Sequence, residues 1–343
     1  MTRVKTAATS AASLDPERAA APRPLKDEAA LYRAAARRLR TVRDLLRFGV
    51  SRCLAAGVFL GHGYAEAWDE VAHLLRHALH LPPGPLEPYL EARLVGPEID
   101  AALDLIRRRV GERVPAAYLT GSAWLGDFRF TVDARVIVPR SFIAELLFEG
   151  LAPWIDDPAR ITRVLDLCTG SGCLAIIAAA VFPNARVDAV DLSDAALAVA
   201  RANVADYQLE ERLRLVASDL YTGLPKEADG KPARYDLILS NPPYVTDAAM
   251  ATLPAEYRHE PRLALAGGSD GLDLVRRILA GAQRRLAAAG LLVVEVGHER
   301  AHLEAAFPGL PCTWLATAGG DDMVFLLERR QLGQLAASAR PAR

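Results

Sequence analysis

The spacing of apolar residues divides this chain into a helical first part and an alternating second part. Between residues 25 and 113, apolar side chains recur at helical spacing, which predicts one long amphipathic helix over 31–55 and further helices over 66–81 and 97–113. From residue 141 onward, short apolar runs alternate with helical stretches. That alternation is typical of a parallel sheet with helices on both faces, so we expect an α/β domain behind a helical one.

Two short segments depart from the alternation. Residues 123–132 contain two apolar runs around Gly126-Asp127, which predicts a β-hairpin that joins the two domains. Predicted strands over 312–316 and 323–328 are joined by a turn too short for a crossover, so they must pair antiparallel. The sheet is therefore expected to end with a reversed strand.

These patterns divide the chain into five parts. They are a disordered tail over 1–24, a helical domain over 25–113, a β-hairpin linker over 114–140, an α/β domain over 141–332 and a C-terminal tail over 333–343. Residues 1–24 are rich in Ala, Pro, Ser and Thr, which is typical of disorder, and they lack the apolar segment of a signal peptide.

Composition narrows the class of protein. With 51% hydrophobic residues among 343, the chain can bury the cores of two domains. A net charge of -1 argues against a protein that coats DNA without sequence preference, because such proteins are usually basic. No apolar run approaches the roughly 20 residues of a membrane-spanning helix. The four cysteines lack zinc-binding spacing, so we expect reduced thiols in a cytoplasmic protein.

A glycine-rich loop lies in the first strand–helix unit of the α/β domain. A predicted strand over 163–168 leads into Thr169-Gly170-Ser171-Gly172, and a helical run follows. This combination forms a platform for a nucleotide cofactor. Asp191 ends the next predicted strand about 20 residues further on, where a carboxylate can hold ribose hydroxyls. Asp219 follows another predicted strand and is a candidate for the adenine edge.

The tetrapeptide Asn241-Pro242-Pro243-Tyr244 follows a short apolar run that reads as a buried strand. It is therefore expected at the carboxyl end of a strand, where open α/β sheets bind ligands. An amide or aryl NH2 group is a poor nucleophile, so an enzyme that alkylates it must hold both N–H groups. The Asn241 side chain and the Pro242 carbonyl can accept them, because consecutive prolines make a stiff, acceptor-only backbone. Tyr244 can lie against a flat substrate group.

The glycine loop also fits a dinucleotide fingerprint, Gly170-x-Gly172-x-x-Ala175, so a dehydrogenase is a competing interpretation. Asp166 weighs against it, since a carboxylate just before the loop suits a cofactor amino group better than a pyrophosphate. The tetrapeptide has no role in hydride transfer. S-adenosylmethionine fits both motifs.

The motifs together resemble those of class I methyltransferases that modify glutamine in proteins. The resemblance rests on Asp-Leu-Cys-Thr-Gly-Ser-Gly-Cys at 166–173, Val-Asp-Leu-Ser at 190–193 and Asn-Pro-Pro-Tyr-Val at 241–245. Three further stretches are similar to the branch that acts on large-subunit ribosomal protein three. They are Val138-Pro139-Arg140-Ser141, the run from Glu256 to Pro261 and the run from Gly267 to Leu272.

The resemblance implies a Rossmann-like seven-stranded sheet with one antiparallel strand and N5-methylation of a glutamine in ribosomal protein three. It also implies that residues 141–332 form the methyltransferase domain and that residues 25–113 form the substrate-recognition domain. It implies that S-adenosylmethionine is bound by Asp166, Thr169, Gly170, Gly172, Asp191, Asp219, Leu220 and Asn241. The catalytic residues that it implies are Asn241, Pro242, Pro243 and Tyr244.

Three other functions stay open. The first is glutamine methylation of a peptide chain release factor, by a sister branch that usually has Ile-Pro-Arg-Pro and a glycine where Cys168 stands. The match to the ribosomal-protein branch has one departure, since Phe142 replaces the proline expected after Arg140-Ser141. An adenine-N6 methyltransferase acting on nucleic acid can use the same tetrapeptide with the base flipped out. A non-catalytic binding module of ribosome assembly is the alternative outside the enzymes.

Several polar residues admit a plainer interpretation. His73, His77 and His80 share a predicted helix face with Glu70, and we interpret it as a polar surface rather than a metal site. His259 and Glu260 are expected to anchor a loop. Another set, on the predicted helix over 31–55, forms a basic stripe that is either a solvated face or a contact to ribosomal RNA. The stripe consists of Arg33, Arg37, Arg40 and Arg47.

Overall fold

The computed structural model describes residues 27–226 and 230–338, and the predicted tail over 1–24 lies outside them. Two compact units divide the described chain. The helical unit runs to Ser122 and also contains Pro254–His259, whereas the sheet unit contains Ala123–Leu253 and the described residues from Glu260 on. All of the hairpin except its first residue, Ser122, belongs to the sheet unit. The five-part division drawn from the sequence stays a prediction.

The described part of the helical unit contains five α-helices, of which the first four surround one apolar core and the fifth packs in a smaller cluster with Leu74 and Leu105. They are α1 (Glu28–Arg38), α2 (Val42–Ala55), α3 (Ala67–Ala78), α4 (Gly96–Arg107) and α5 (Ala116–Thr120). The helices predicted over 66–81 and 97–113 correspond to α3 and α4, although α4 gives way to a π-helical turn at Arg108.

The single helix predicted over 31–55 is wrong, because the chain breaks between α1 and α2. Leu39 is extended, and Thr41 begins α2 with a capping box in which its hydroxyl accepts the Asp44 N–H at 3.1 Å. The Asp44 carboxylate in return accepts the Thr41 N–H at 3.1 Å. These bonds satisfy N–H groups that a continuous helix would satisfy internally, so a new helix start is stabilised.

The break also corrects the basic stripe. Arg33 and Arg37 lie on α1, and Arg47 lies on α2. Arg40 stands between the helices, where its guanidinium donates to the carbonyls of Leu39 and Arg37 at 2.7 and 2.5 Å. The four arginines therefore do not share one helix face, although all four are exposed.

The polar face predicted for α3 is partly wrong as well. Glu70 is buried and its carboxylate accepts from the Arg109 guanidinium at 2.8 Å. His73 is buried too, with its Nε2 2.9 Å from the Thr120 hydroxyl. The Arg109 guanidinium also reaches Glu256 at 3.3 Å, which joins Pro254–His259 to the core of the helical unit. Removing one partner of such a buried pair costs about 3–5 kcal/mol, because a charge is left uncompensated.

The sheet unit is built on seven strands, with a hairpin and a two-stranded parallel pair beside them. The hairpin is β1 (Ser122–Leu125) with β2 (Phe128–Thr131), and the small pair is β7 (Val245–Thr246) with β8 (Ala266–Gly268). The central strands are β3 (Arg163–Leu167), β4 (Arg186–Asp191), β5 (Leu213–Ala217), β6 (Tyr235–Ser240), β9 (Leu286–Glu295), β10 (Thr313–Thr317) and β11 (Gly320–Glu328).

The strand order is β10-β11-β9-β6-β3-β4-β5, and β11 runs antiparallel to both of its neighbours. The predicted reversed strand is thereby confirmed. Seven α-helices accompany the strands in the described part of the chain, and the helix predicted after the glycine loop is confirmed as α7. The helices are α6 (Ile143–Phe148), α7 (Cys173–Val181), α8 (Asp194–Asp206), α9 (Asp247–Thr252), α10 (Asp273–Arg285), α11 (Arg300–Ala306) and α12 (Arg329–Ser338).

The last helix occupies part of the predicted C-terminal tail, and residues 339–343 lie outside the description. Among the described residues, no helix combines the length and the apolar character that crossing a bilayer requires. All four cysteines are free thiols.

Candidate active site

The carboxyl ends of β3 and β6 create the edge at which the predicted site residues meet. The two strands are parallel neighbours, with Leu167 paired to Ser240. The glycine loop leaves β3 and the Asn241-Pro242-Pro243-Tyr244 segment leaves β6 from the same level of the sheet. Strand β4 lies on the other side of β3, so this edge is a point where the strand order reverses. Ligands of open α/β sheets bind at such points.

Left-handed backbone shapes the glycine loop. Gly172 has φ +81° and begins α7, and a Cβ there would lie 3.3 Å from the Ala200 side chain. Cys168 has φ +60°, a region that costs a residue with a side chain roughly 1–2 kcal/mol. Glycine favours that conformation, which gives a physical reason for the glycine at this position in the release-factor branch. The loop turns sharply and presents its backbone to the edge of the sheet.

Asp166 lies beneath this loop with 1% of its surface exposed. Its Oδ2 accepts the Thr169 hydroxyl at 2.5 Å, whereas Oδ1 is buried without a hydrogen-bond partner in the described part of the chain. Burial raises the pKa of the Asp166 carboxyl to about 7. A buried acceptor without a donor is costly, so the geometry suits a cationic or N–H donor from a ligand.

Asp191 ends β4 and braces the glycine loop. Its Oδ2 accepts the Gly170 N–H at 2.9 Å, and its Oδ1 accepts the Ser193 N–H at 2.9 Å. Burial raises the pKa of its carboxyl. A carboxylate can accept about four hydrogen bonds, so Asp191 keeps acceptor capacity for a ligand hydroxyl beyond these backbone bonds. The predicted contact with ribose stays a prediction.

Asp219 and Leu220 follow β5 at the same edge. The Asp219 carboxylate is half-exposed and accepts from the Arg277 guanidinium at 2.7 Å. Leu220 is buried with φ +51°, so the turn after β5 is tight. The sequence analysis missed Arg277, which lies 58 residues away on α10 without a motif around it.

The tetrapeptide combines stiffness with a partly open face. Pro242 and Pro243 are buried, and Asn241 and Tyr244 are half-buried. The Tyr244 hydroxyl donates to Glu295 Oε1 at 3.1 Å. Asn241 directly follows β6, so the end of the strand fixes the position of its Cα atom. The structure thus brings the four predicted catalytic residues and the glycine loop to one edge, and their chemical roles stay predictions.

Two loop anchors expected from the sequence are confirmed. His259 Nε2 lies 3.0 Å from the Glu112 carbonyl. The Glu260 carboxylate binds the Arg140 guanidinium with both oxygens, at 2.5 and 2.7 Å, and accepts the Val138 N–H at 2.9 Å. The Val138-Pro139-Arg140-Ser141 motif is therefore held in place by Glu260.

Phe142, the departure from the proline expected after Ser141, has a structural reason. Its backbone N–H donates to the Glu295 carboxylate at 2.9 Å, a bond that proline cannot make. Sequence reasoning missed Glu295 itself, because it lies inside an apolar strand pattern and more than 50 residues from the groups it binds.

The seven-stranded sheet with reversed β11, together with a glycine loop after β3 and an acid after β4, defines a class I methyltransferase. The profile of the methyltransferase small domain family matches residues 144–256.

Relatives over nearly their full length identify the family. The chain is 60% identical to a ribosomal protein uL3 glutamine methyltransferase of Bordetella pertussis, over 86% of this chain and 97% of the relative. Proteins with the same name from Burkholderia pseudomallei and Neisseria meningitidis are 58% and 54% identical, over 87% and 88% of this chain and 97% of each relative. The chain belongs to the ribosomal protein uL3 glutamine methyltransferase family.

Proposed function

We propose that this protein transfers a methyl group from S-adenosylmethionine to the side-chain amide nitrogen of a glutamine in ribosomal protein uL3. The observation that carries the proposal is the placement of Asn241-Pro242-Pro243-Tyr244 beside the glycine loop, in a chain 54–60% identical to enzymes of that name. S-adenosylmethionine supplies a methyl group bonded to a positively charged sulfur.

The chain's own residues act mainly by positioning. The Asn241 side-chain carbonyl and the Pro242 backbone carbonyl accept the two N–H groups of the glutamine amide, which aims its nitrogen lone pair at the methyl group. Tyr244 supports the flat face of the amide. Holding two reactants in line lowers the barrier by several kcal/mol, and water can take the proton that nitrogen releases.

The cofactor fits the other end of the site. The unpartnered Oδ1 of Asp166 suits the cationic amino group, Asp191 the ribose hydroxyls and Asp219 the adenine amino group, with Leu220 beside it. Thr169, Gly170 and Gly172 bring the backbone close to the cofactor.

Binding of S-adenosylmethionine is expected to depend on the ionisation of Asp166. Only the ionised carboxylate attracts an ammonium group, and burial raises the pKa of this carboxyl to about 7. From the fraction ionised, we expect affinity at pH 6 to be on the order of tenfold weaker than at pH 7.5. Calorimetry at the two pH values measures the Kd for S-adenosylmethionine. The Asp166→Asn variant should bind the cofactor weakly, with little difference in Kd between the two pH values. An equally steep pH dependence in that variant would contradict the assignment.

The same carboxyl has a defined effect on stability. A folded-state pKa above the unfolded value means that the folded protein holds the proton from about pH 4 to about pH 7. The free energy of unfolding without cofactor should therefore fall as pH rises through that range, and Asp166→Asn should remove this contribution. Thermal unfolding of both proteins across the range provides the comparison.

The substrate branch is tested by offering purified uL3 and purified release factor side by side. We expect mass spectrometry to find one added methyl on a glutamine of uL3, with the release factor left unmodified. Methylation of the release factor alone would move the protein to the sister branch. Cofactor binding without turnover on uL3 or on ribosomal particles would favour a non-catalytic binding module. Methylated adenine in nucleic acid would favour an adenine-N6 methyltransferase.

Two partner assignments are part of the same proposal. The helical unit recognises the protein segment around the glutamine. Contact with ribosomal RNA through Arg33, Arg37, Arg40 and Arg47 stays a prediction, and the argument for it now rests on exposed charge rather than on one helix face. Cytoplasmic location belongs to the proposal because ribosomal proteins are the substrates.

A further inference from the structure

Glu295 is a buried carboxylate that the proposed mechanism has not used. It is the last residue of β9 and has 1% of its surface exposed. Strand β9 is the parallel neighbour of β6, with Val294 paired to Ser240, so Glu295 is level with Asn241. Burying a carboxylate is costly, and a packing role alone would be better served by an apolar residue of similar size.

The hydrogen bonds of Glu295 join two segments that both carry family motifs. Its Oε1 accepts the Tyr244 hydroxyl at 3.1 Å. Its Oε2 accepts the Ser141 hydroxyl at 2.6 Å and the Phe142 N–H at 2.9 Å. Hydrogen bonds to a charged acceptor are stronger than neutral ones, so this carboxylate holds both segments firmly.

The Tyr244 ring is confined by more than its hydroxyl. Gly297 follows β9 with φ +53°, and a Cβ there would lie 2.5 Å from Tyr244 Cε2. The ring therefore packs directly on the backbone at one edge, while Glu295 holds its far end. A tyrosine held at its ring edge and at its hydroxyl keeps one orientation. A ring that supports a flat substrate group requires such a fixed orientation.

We propose that Glu295 is a positioning residue for glutamine methylation, which sets the orientation of Tyr244 through the hydroxyl bond and fixes the Ser141 segment to the same point. The inference rests on the proposed function, since it assigns Tyr244 to the glutamine amide. Burial raises the pKa of the Glu295 carboxyl, and the hydrogen bonds that it accepts from Ser141, Tyr244 and Phe142 partly offset that rise.

A double-mutant cycle between Glu295→Gln and Tyr244→Phe tests the coupling. Each single variant should lower kcat on uL3 by about tenfold, because the ring loses its fixed orientation, while the Kd for S-adenosylmethionine stays within about twofold. If Glu295 acts through Tyr244, the double variant should be no slower than the slower single variant. A hundredfold loss in the double variant would mean independent effects and would overturn the proposal.

Ser141→Ala is the matched control on the other oxygen of the same carboxylate. It removes one donor without touching the Tyr244 bond, so its effect on kcat should simply multiply with that of Tyr244→Phe. If Glu295→Gln fails to fold, Tyr244→Phe still decides, because unchanged kcat after loss of the hydroxyl overturns the proposal. A parent protein that methylates the release factor instead of uL3 overturns only the substrate assignment, and the same cycle on that glutamine then tests Glu295.

Discussion

Asn241→Ala is expected to lower kcat for glutamine methylation on the order of a hundredfold or more. Deleting one preorganised hydrogen-bonding group has effects of that size, because it acts on the transition state rather than on binding. Asn241 is half-buried and follows directly on β6, so its truncation leaves the strand and the rigid Pro242-Pro243 backbone in place. Initial rates with labelled S-adenosylmethionine and uL3 measure the loss.

Two controls show whether the loss of kcat in Asn241→Ala is specific to the methyl transfer. The Kd for S-adenosylmethionine should change much less than kcat, since most of the proposed cofactor contacts come from the loops after β3 and β4. Thr246→Ala is the matched variant, because it removes a polar side chain five residues away that caps α9. It should cost about 1 kcal/mol of stability and leave kcat near normal. Near-normal turnover by Asn241→Ala would show that the amide is held by other groups.

Asp191→Ala is expected to weaken binding of S-adenosylmethionine by about tenfold to a hundredfold. Charge-assisted hydrogen bonds to the ribose are worth roughly 1.5–3 kcal/mol. The structure adds a second contribution, because the Gly170 and Ser193 N–H groups also lose their acceptor. Asp191→Asn keeps one carbonyl oxygen, so its loss should be smaller. Calorimetry measures each Kd.

Asp194→Ala is the control for loss of a carboxylate near the same loop. Asp194 is exposed in the first turn of α8, three residues from Asp191, and the variant should bind S-adenosylmethionine like the parent. NAD should not bind the parent measurably. Tight NAD binding would revive the dehydrogenase interpretation of the glycine loop. An unchanged Kd for S-adenosylmethionine in Asp191→Ala would show that Asp191 does not hold the ribose.

Local signals in the sequence were sufficient for most of the α/β domain and for the edge where its motifs meet. Apolar runs and a short final turn predicted the parallel strands and the reversed β11, because strand period and turn length are properties of a few adjacent residues. The sequence also contained the start of α2 in Thr41-Val42-Arg43-Asp44, a capping box. It was missed because apolar residues continue at helical spacing on both sides of the break.

The long-range partners of charged groups could not be predicted from the sequence. The spacing of Glu70 on α3 suggested an exposed polar face, yet it is buried against Arg109, which Glu256 also reaches from a distant part of the chain. Which carboxylate meets which guanidinium depends on how the elements pack, and no local pattern encodes that choice.

The sequence by itself determined the class of protein and predicted a cofactor loop and an amide-binding tetrapeptide, because each of these depends on residue types at short, fixed spacing. Only the tertiary structure decided what holds those parts in place. Glu295 and Arg277 lie on β9 and α10, 51 residues from Tyr244 and 58 from Asp219, and they meet these residues because the sheet brings its strand ends to one edge. Side-chain hydrogen bonds depend on distances of about 3 Å, and folding alone sets those distances between remote segments.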